Sequence, residues 1–225
     1  MSLPSRPIFT YNYKDSLVFQ DDFATGINSS GNIGELGWLS AGTITNPSSE
    51  VNHPGIVLVS TGAGASTLAR ITFNASLVID SSLATFLEFI IRLNTNDINT
   101  SIRVGARDTV SSFDPANGIY FEKLDNDVNW FSVTRSASTE TRVNTNIAVT
   151  TEFVKLSYIR VVTGEDHPLR QGVTFKINDV NVGNAHTTNL PLVLVSPAVS
   201  IINSIASAKT VSVDYFQMYQ TGIIR

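Results

Sequence analysis

The chain has no cysteine in 225 residues, three histidines and only 15% charged residues. Without cysteine there are no disulfide scaffolds, zinc fingers, iron–sulfur clusters or thiol chemistry, although the redox compartment stays undetermined. His53, His167 and His186 are scattered, which leaves little room for a metal-hydrolase site. Lys and Arg number 15 against 19 Asp and Glu, for a net charge of −4 and a pI near 5.3. No basic stripe is therefore present to displace counterions from a phosphate backbone, and nucleic acid is not an expected partner. Helical stripes are missing as well: the best candidate, 198–208, lacks an N-cap. The most apolar stretch, 190–208, is broken by Pro191, Pro197 and Asn203. It is expected to form two buried strands and a loop, so no membrane insertion follows from it. The opening residues Met1–Pro7 lack the apolar core of a signal peptide.

Ser, Thr and Asn fill the space left by charge, at roughly 30% of the chain. Val, Ile and Thr make up a similar share, and branched side chains suit a pleated surface. Strand signals recur along most of the length. In 85–93, Leu87, Phe89, Ile91 and Leu93 alternate with Phe86, Glu88, Ile90 and Arg92. In 101–108, Ile102, Val104 and Ala106 alternate with Arg103, Gly105 and Arg107. Val173, Phe175 and Ile177 lead into Asn178-Asp179 and then Val180 and Val182, a hairpin signature because Asn and Asp tolerate positive φ. The stretch 153–162 is apolar on both sides and is expected to be central. Many short strands without intervening helices predict an all-β antiparallel sandwich or barrel. No linker or repeat divides the chain, so the expectation is an extended arm over 1–19 and one domain over 20–225. In the arm, Ile8, Phe9, Tyr11 and Tyr13 follow Pro4 and Pro7. Such side chains either lie back on their own domain or pack on a neighbouring subunit.

Three segments carry a family resemblance. They are Asp21-Asp22-Phe23 with Gly26 and Ile33-Gly34-Glu35-Leu36-Gly37-Trp38; Asn52-His53-Pro54-Gly55-Ile56 with Ser60-Thr61-Gly62; and Val211-Ser212-Val213-Asp214-Tyr215-Phe216. Together they resemble the concanavalin A-like (laminin G-like) jelly rolls found as virion structural proteins of tailed bacteriophages. The resemblance implies a jelly-roll β-sandwich whose first and last strands are neighbours, pairing the Asp22-Phe23 region with Asp214-Tyr215-Phe216. It also implies a capsid- or tail-associated virion subunit or decoration protein, with other virion proteins and its own copies as partners. Locally, His53-Pro54-Gly55-Ile56 fits a type II turn with positive φ at Gly55, which makes His53 a turn residue, and Trp38 is expected to anchor its loop to the core.

The fold also raises glycan chemistry. Glycosidases of this fold carry a Glu-x-Asp-x-Glu strand, because paired carboxylates must flank the glycosidic bond. Here 86–92 offers only Glu88 and 118–124 only Glu122. No serine elbow or phosphate loop is present either, so no enzyme activity and no cofactor are expected. A binding face is easier to argue. With Asp125-Asn126-Asp127 as a hairpin loop, Phe121 faces Phe131 and Ile119 faces Val133 in the core. The other side then carries Tyr120, Glu122, Trp130 and Ser132, with Glu122 across from Trp130. An aromatic beside a carboxylate suits a sugar, such as a host-surface glycan held by a lectin-like adhesin. Glu88, Arg92, Arg103 and Arg107 are expected to share that face, whose alternative role is a solvated or covered sheet surface. The acidic turn residues are read as turn chemistry, with no metal site.

Overall fold

The computed structural model describes residues 16–27, 32–46, 49–73, 79–95, 98–109, 111–162 and 171–221. Ile8, Phe9, Tyr11 and Tyr13 lie outside these residues, as does His167. The described residues form strands and turns with no helix. In chain order the strands are β1 (Ser16–Asp21), β2 (Leu39–Ala41), β3 (Thr43–Thr45), β4 (Val57–Ser60), β5 (Leu68–Thr72), β6 (Ile79–Asp80), β7 (Thr85–Leu93) and β8 (Thr100–Arg107). They continue as β9 (Gly118–Lys123), β10 (Asn129–Ser136), β11 (Thr139–Ala148), β12 (Val154–Val161), β13 (Gly172–Ile177), β14 (Val180–His186), β15 (Leu194–Asn203) and β16 (Thr210–Thr221). Ser16–Phe19, the expected end of the arm, are thus the first residues of a strand.

Two antiparallel sheets form a sandwich. The first runs β14-β13-β12-β7-β16-β4-β3, with β1 also on β16; the second runs β11-β10-β9-β8-β15-β5-β2, with β6 also on β15. The first and last strands pair from Ser16↔Thr221 to Asp21↔Phe216, as the resemblance implies. Leu87, Phe89, Ile91 and Leu93 of one sheet and Ile102, Val104 and Ala106 of the other point into the shared core, so the alternation read from both strands holds. Asn178 and Asp179 take φ of 50° and 68° and close the β13–β14 hairpin.

Trp38 is fully buried, with ring centroids 4.8 Å from Phe216 and 5.5 Å from Phe73. Its indole N–H donates to Asp21 Oδ2 at 3.1 Å, and the same carboxylate accepts from the Phe23 and Leu36 amides. One buried acid thereby ties Phe23, Leu36 and Trp38 together and satisfies their N–H donors. Gly55 does not have positive φ. A Cβ there would stand 1.9 Å from Asp22 O, so close backbone approach, rather than a type II turn, calls for glycine. His53 is structural: it stacks on Phe153 at 3.8 Å and bonds Asp214 at 2.8 Å.

The 190–208 stretch makes one long strand, β15, instead of two, and Pro197 sits inside it. A proline in a central strand lacks a ladder donor. The structure compensates at the end of β5, where the Phe73 amide donates to Pro197 O at 3.0 Å and the Ser196 hydroxyl donates to Phe73 O at 2.8 Å.

Candidate ligand-binding face

Strand β8 sits between β9 and β15 and turns Arg103, Gly105 and Arg107 away from the core. Across from them stand Glu122, Tyr120 and Gly118 on β9, and Ser200, Ala198 and Ser196 on β15. The middle of this outer face is floored by the small residues Gly105 and Ala198, and every residue named on it is buried. A Cβ on Gly105 would meet Ile119 O at 2.4 Å and Tyr120 Cβ at 2.8 Å, and one on Gly118 would meet the Tyr120 ring at 2.9 Å. Both glycines let the Tyr120 ring lie down along its own strand.

Around this floor runs an ionic network. Glu122, 1% exposed, accepts from Arg103 Nε at 2.6 Å and from Arg142 Nε at 2.7 Å. Arg142 continues to Asp127, and its guanidinium lies 3.4 Å from the Phe131 ring centroid. Arg103 donates to Asp114 Oδ1 at 2.6 Å and to the Phe113 carbonyl, with the Phe113 ring 4.3 Å away. Burial pulls the Arg103 pKa down, but Tyr120, Glu122 and Asp114 outweigh it, and the net shift is upward. Both Glu122 oxygens are engaged by guanidinium groups, so this carboxylate is committed to charge pairing.

Arg107 differs from its neighbours. It is 2% exposed, and none of its three guanidinium nitrogens has a hydrogen-bond partner among the described residues. Burial, followed by the nearby cations of Arg103 and Arg70, pulls its pKa down to about 9. The Ser200 hydroxyl is also buried without a partner among the described residues. The Tyr120 hydroxyl, its pKa raised by burial, lies beside Arg135 without a bond of hydrogen-bonding geometry.

Of the expected face, Arg103, Tyr120 and Glu122 come together. Trp130 does not join them. The β9–β10 register pairs Phe131 with Glu122 and Val133 with Tyr120, one residue away from the expected Phe121–Phe131 pairing. A one-residue slip exchanges the faces of a strand, so Trp130 is buried in the core and Phe131 lies across from Glu122. Glu88 is also elsewhere. It belongs to β7 in the first sheet, where it accepts from Gln217 at 2.9 Å, and Arg92 on the same strand pairs with Glu50 at 2.6 Å. Arg107 was legible as an outward residue, but its lack of a partner depends on the loops and register around it. Asp127 accepts from the Leu124 amide and from Arg142, which is turn and ion-pair chemistry. Among the described residues no group of three or more His, Asp or Glu is placed to hold a metal ion.

Residues 52–217, most of the sandwich including this face, match the family model described as SO2946-like, C-terminal domain. The chain belongs to that family. Among solved structures, the SO2946-like domain is similar to SO2946 of Shewanella oneidensis MR-1, a protein of unknown function. That likeness has 15% identity and a TM-score of 0.64, over 94% of this chain and 89% of the other. It is also similar to the carbohydrate recognition domain of Emp47p, at 7% identity and TM-score 0.62, over 94% and 100% of the two chains. A glycosidic hydrolase aligns at 14% identity and TM-score 0.62, over 92% and 97%. At these identities the likeness is one of fold alone, and the fold is a concanavalin A-like jelly roll. No curated protein matches the chain.

Proposed function

We propose that the SO2946-like domain is a non-enzymatic, lectin-like recognition domain that binds a saccharide on the outer face of its second sheet. The observation that carries this is the group of buried, unsatisfied polar atoms on Arg107, Tyr120 and Ser200 around the Gly105–Ala198 floor. Native interiors pair such atoms, and a polyhydroxy ligand would supply the missing partners. The carboxylates support a binding role over a hydrolytic one. Glu122 is held by two arginines and Glu88 lies in the other sheet, so the two do not flank a common point. A glycan array tests the proposal: the unmutated protein is expected to give signals that Tyr120→Phe weakens several-fold, with no reducing sugar released. An array without signal for the unmutated protein overturns it.

The second reading is a bacteriophage virion structural or decoration subunit working through protein–protein assembly. It draws on the resemblance of the three motif segments, and it is favoured by Leu192, Val193 and Leu194, which are consecutive, apolar and exposed. In it the residues Ile8, Phe9, Tyr11 and Tyr13 bury on a neighbouring copy or another virion protein. An adhesin carried on a particle would combine both roles.

A further inference from the structure

We infer that the saccharide bound on this face carries an oxyanion, a carboxylate or a sulfate, and that Arg107 is its charged donor. The inference rests on the glycan-binding role proposed above and names the ligand class. Its basis is an imbalance within one sheet face. Arg103 reaches Glu122 and Asp114, Arg142 reaches Glu122 and Asp127, and Arg135 reaches Glu140. Arg107 reaches no carboxylate among the described residues, and neither does Arg70, which stands across from Ser200 on β5. The acid next to it in sequence, Asp108, accepts instead from Asn117 Nδ2 at 2.7 Å and from Thr109 at 3.1 Å.

A guanidinium cannot shed its charge as a buried lysine or histidine does, so isolating it from water and from partners carries a heavy desolvation cost. Arg103 and Arg70 add like-charge repulsion. A fold keeps such a group where an anion completes it. The neighbouring pair shows the geometry in use: Arg103, on the same strand and face as Arg107, is met at 2.6 Å by the carboxylate of Asp114 from the loop after β8.

The surroundings specify the rest of the ligand. Ser200, Tyr120 and Ser196 are neutral hydroxyl groups, and the small, buried Gly105 and Ala198 lie between them. Two guanidinium groups without a carboxylate among the described residues, Arg107 and Arg70, set among neutral hydroxyls, suit an anionic group on a polyhydroxy ring. The planar fork of arginine matches carboxylate and sulfate oxygens two at a time.

The test is an array of uronate-, sialate- and sulfate-bearing glycans alongside neutral ones, with calorimetry on the strongest hits. Methyl esterification removes the carboxylate charge and desulfation removes the sulfate, so the two arms identify the source of the oxyanion. The unmutated domain is expected to prefer the acidic forms. Arg107→Gln should lose about tenfold or more of that affinity, with Arg107→Lys intermediate. Unliganded Arg107→Met should melt at or above the unmutated protein, because an unpaired buried charge has been removed. Equal binding of neutral and acidic glycans, unchanged in Arg107→Gln, would overturn the inference and leave the lectin role standing. Inorganic sulfate binding as tightly as sulfated glycans would overturn the saccharide component. Loss of several degrees of melting temperature in Arg107→Met would make the arginine structural. Silence across the whole array would remove the lectin role itself.

Discussion

His186 is a buried imidazole whose polar partners are hydroxyls. Nδ1 lies 3.1 Å from Thr134 Oγ1 and Nε2 lies 2.9 Å from Ser132 Oγ. Thr134 donates its own proton to Thr188 O at 3.0 Å, which assigns the imidazole proton to Nδ1 and makes Nε2 the acceptor of the Ser132 hydroxyl. Burial lowers the His186 pKa from 6.5 to about 4. Between those values the unfolded chain takes up a proton that the folded one refuses, so stability falls as pH drops through the window and is fully present above it. Urea midpoints measured across this range should decline toward acid pH, and His186→Gln should flatten the decline. At this scale the sequence was informative where chemistry is local. Trp38 was readable as a core anchor because its size leaves few alternatives. The role of Gly55 was not, because it depends on Asp22 and Ala24, distant in sequence and in contact only once β1 has paired with β16.

Strands themselves were legible from period-two alternation, and register was not. On β10, Trp130 and Phe131 are both large and aromatic, so either can fill the core. The hairpin loop decides between them: Asn126 takes φ of 66° and Asp127 caps the Leu124 amide at 2.8 Å. The observed register also turns Phe131 outward, under the Arg142 guanidinium that pairs with Glu122. A bulge plays a similar part in β16, where the register shifts between Val213 and Tyr215. That shift lets Val211 and Val213 point inward on one side of it and Phe216 and Met218 on the other. Gly105 gives an element-scale prediction. Its φ is 153° and its missing Cβ position lies 2.4 Å from Ile119 O. Gly105→Ala should destabilise the domain by roughly 1–3 kcal/mol through overpacking, read as a lower urea midpoint.

For the whole molecule, composition and alternation were enough to foresee an antiparallel sandwich or barrel, and the resemblance of the motif segments narrowed this to a sandwich with paired first and last strands. The division of strands between sheets could not be read that way. Glu88 and Arg103 have the same local pattern, yet β7 and β8 are consecutive strands that fall in opposite sheets. The assembly role is tested at this scale. Because β1 begins at Ser16, a truncation of residues 2–15 removes none of the described strands. It should leave the melting temperature near that of the full chain while lowering the molar mass seen by light scattering. An unchanged mass would remove the arm from assembly.

The pairing of Ser16 with Thr221 has a mechanical consequence. Both ends of the sandwich leave from neighbouring strands of the first sheet, while Arg107 and its floor lie on the outer side of the second. A domain tethered in this way could be spliced into a surface loop of a larger scaffold as a single-stalk appendage. Its anchorage and the proposed binding face would then sit back to back, and load carried by the tether would pass through β1 and β16 and bypass β8, β9 and β15.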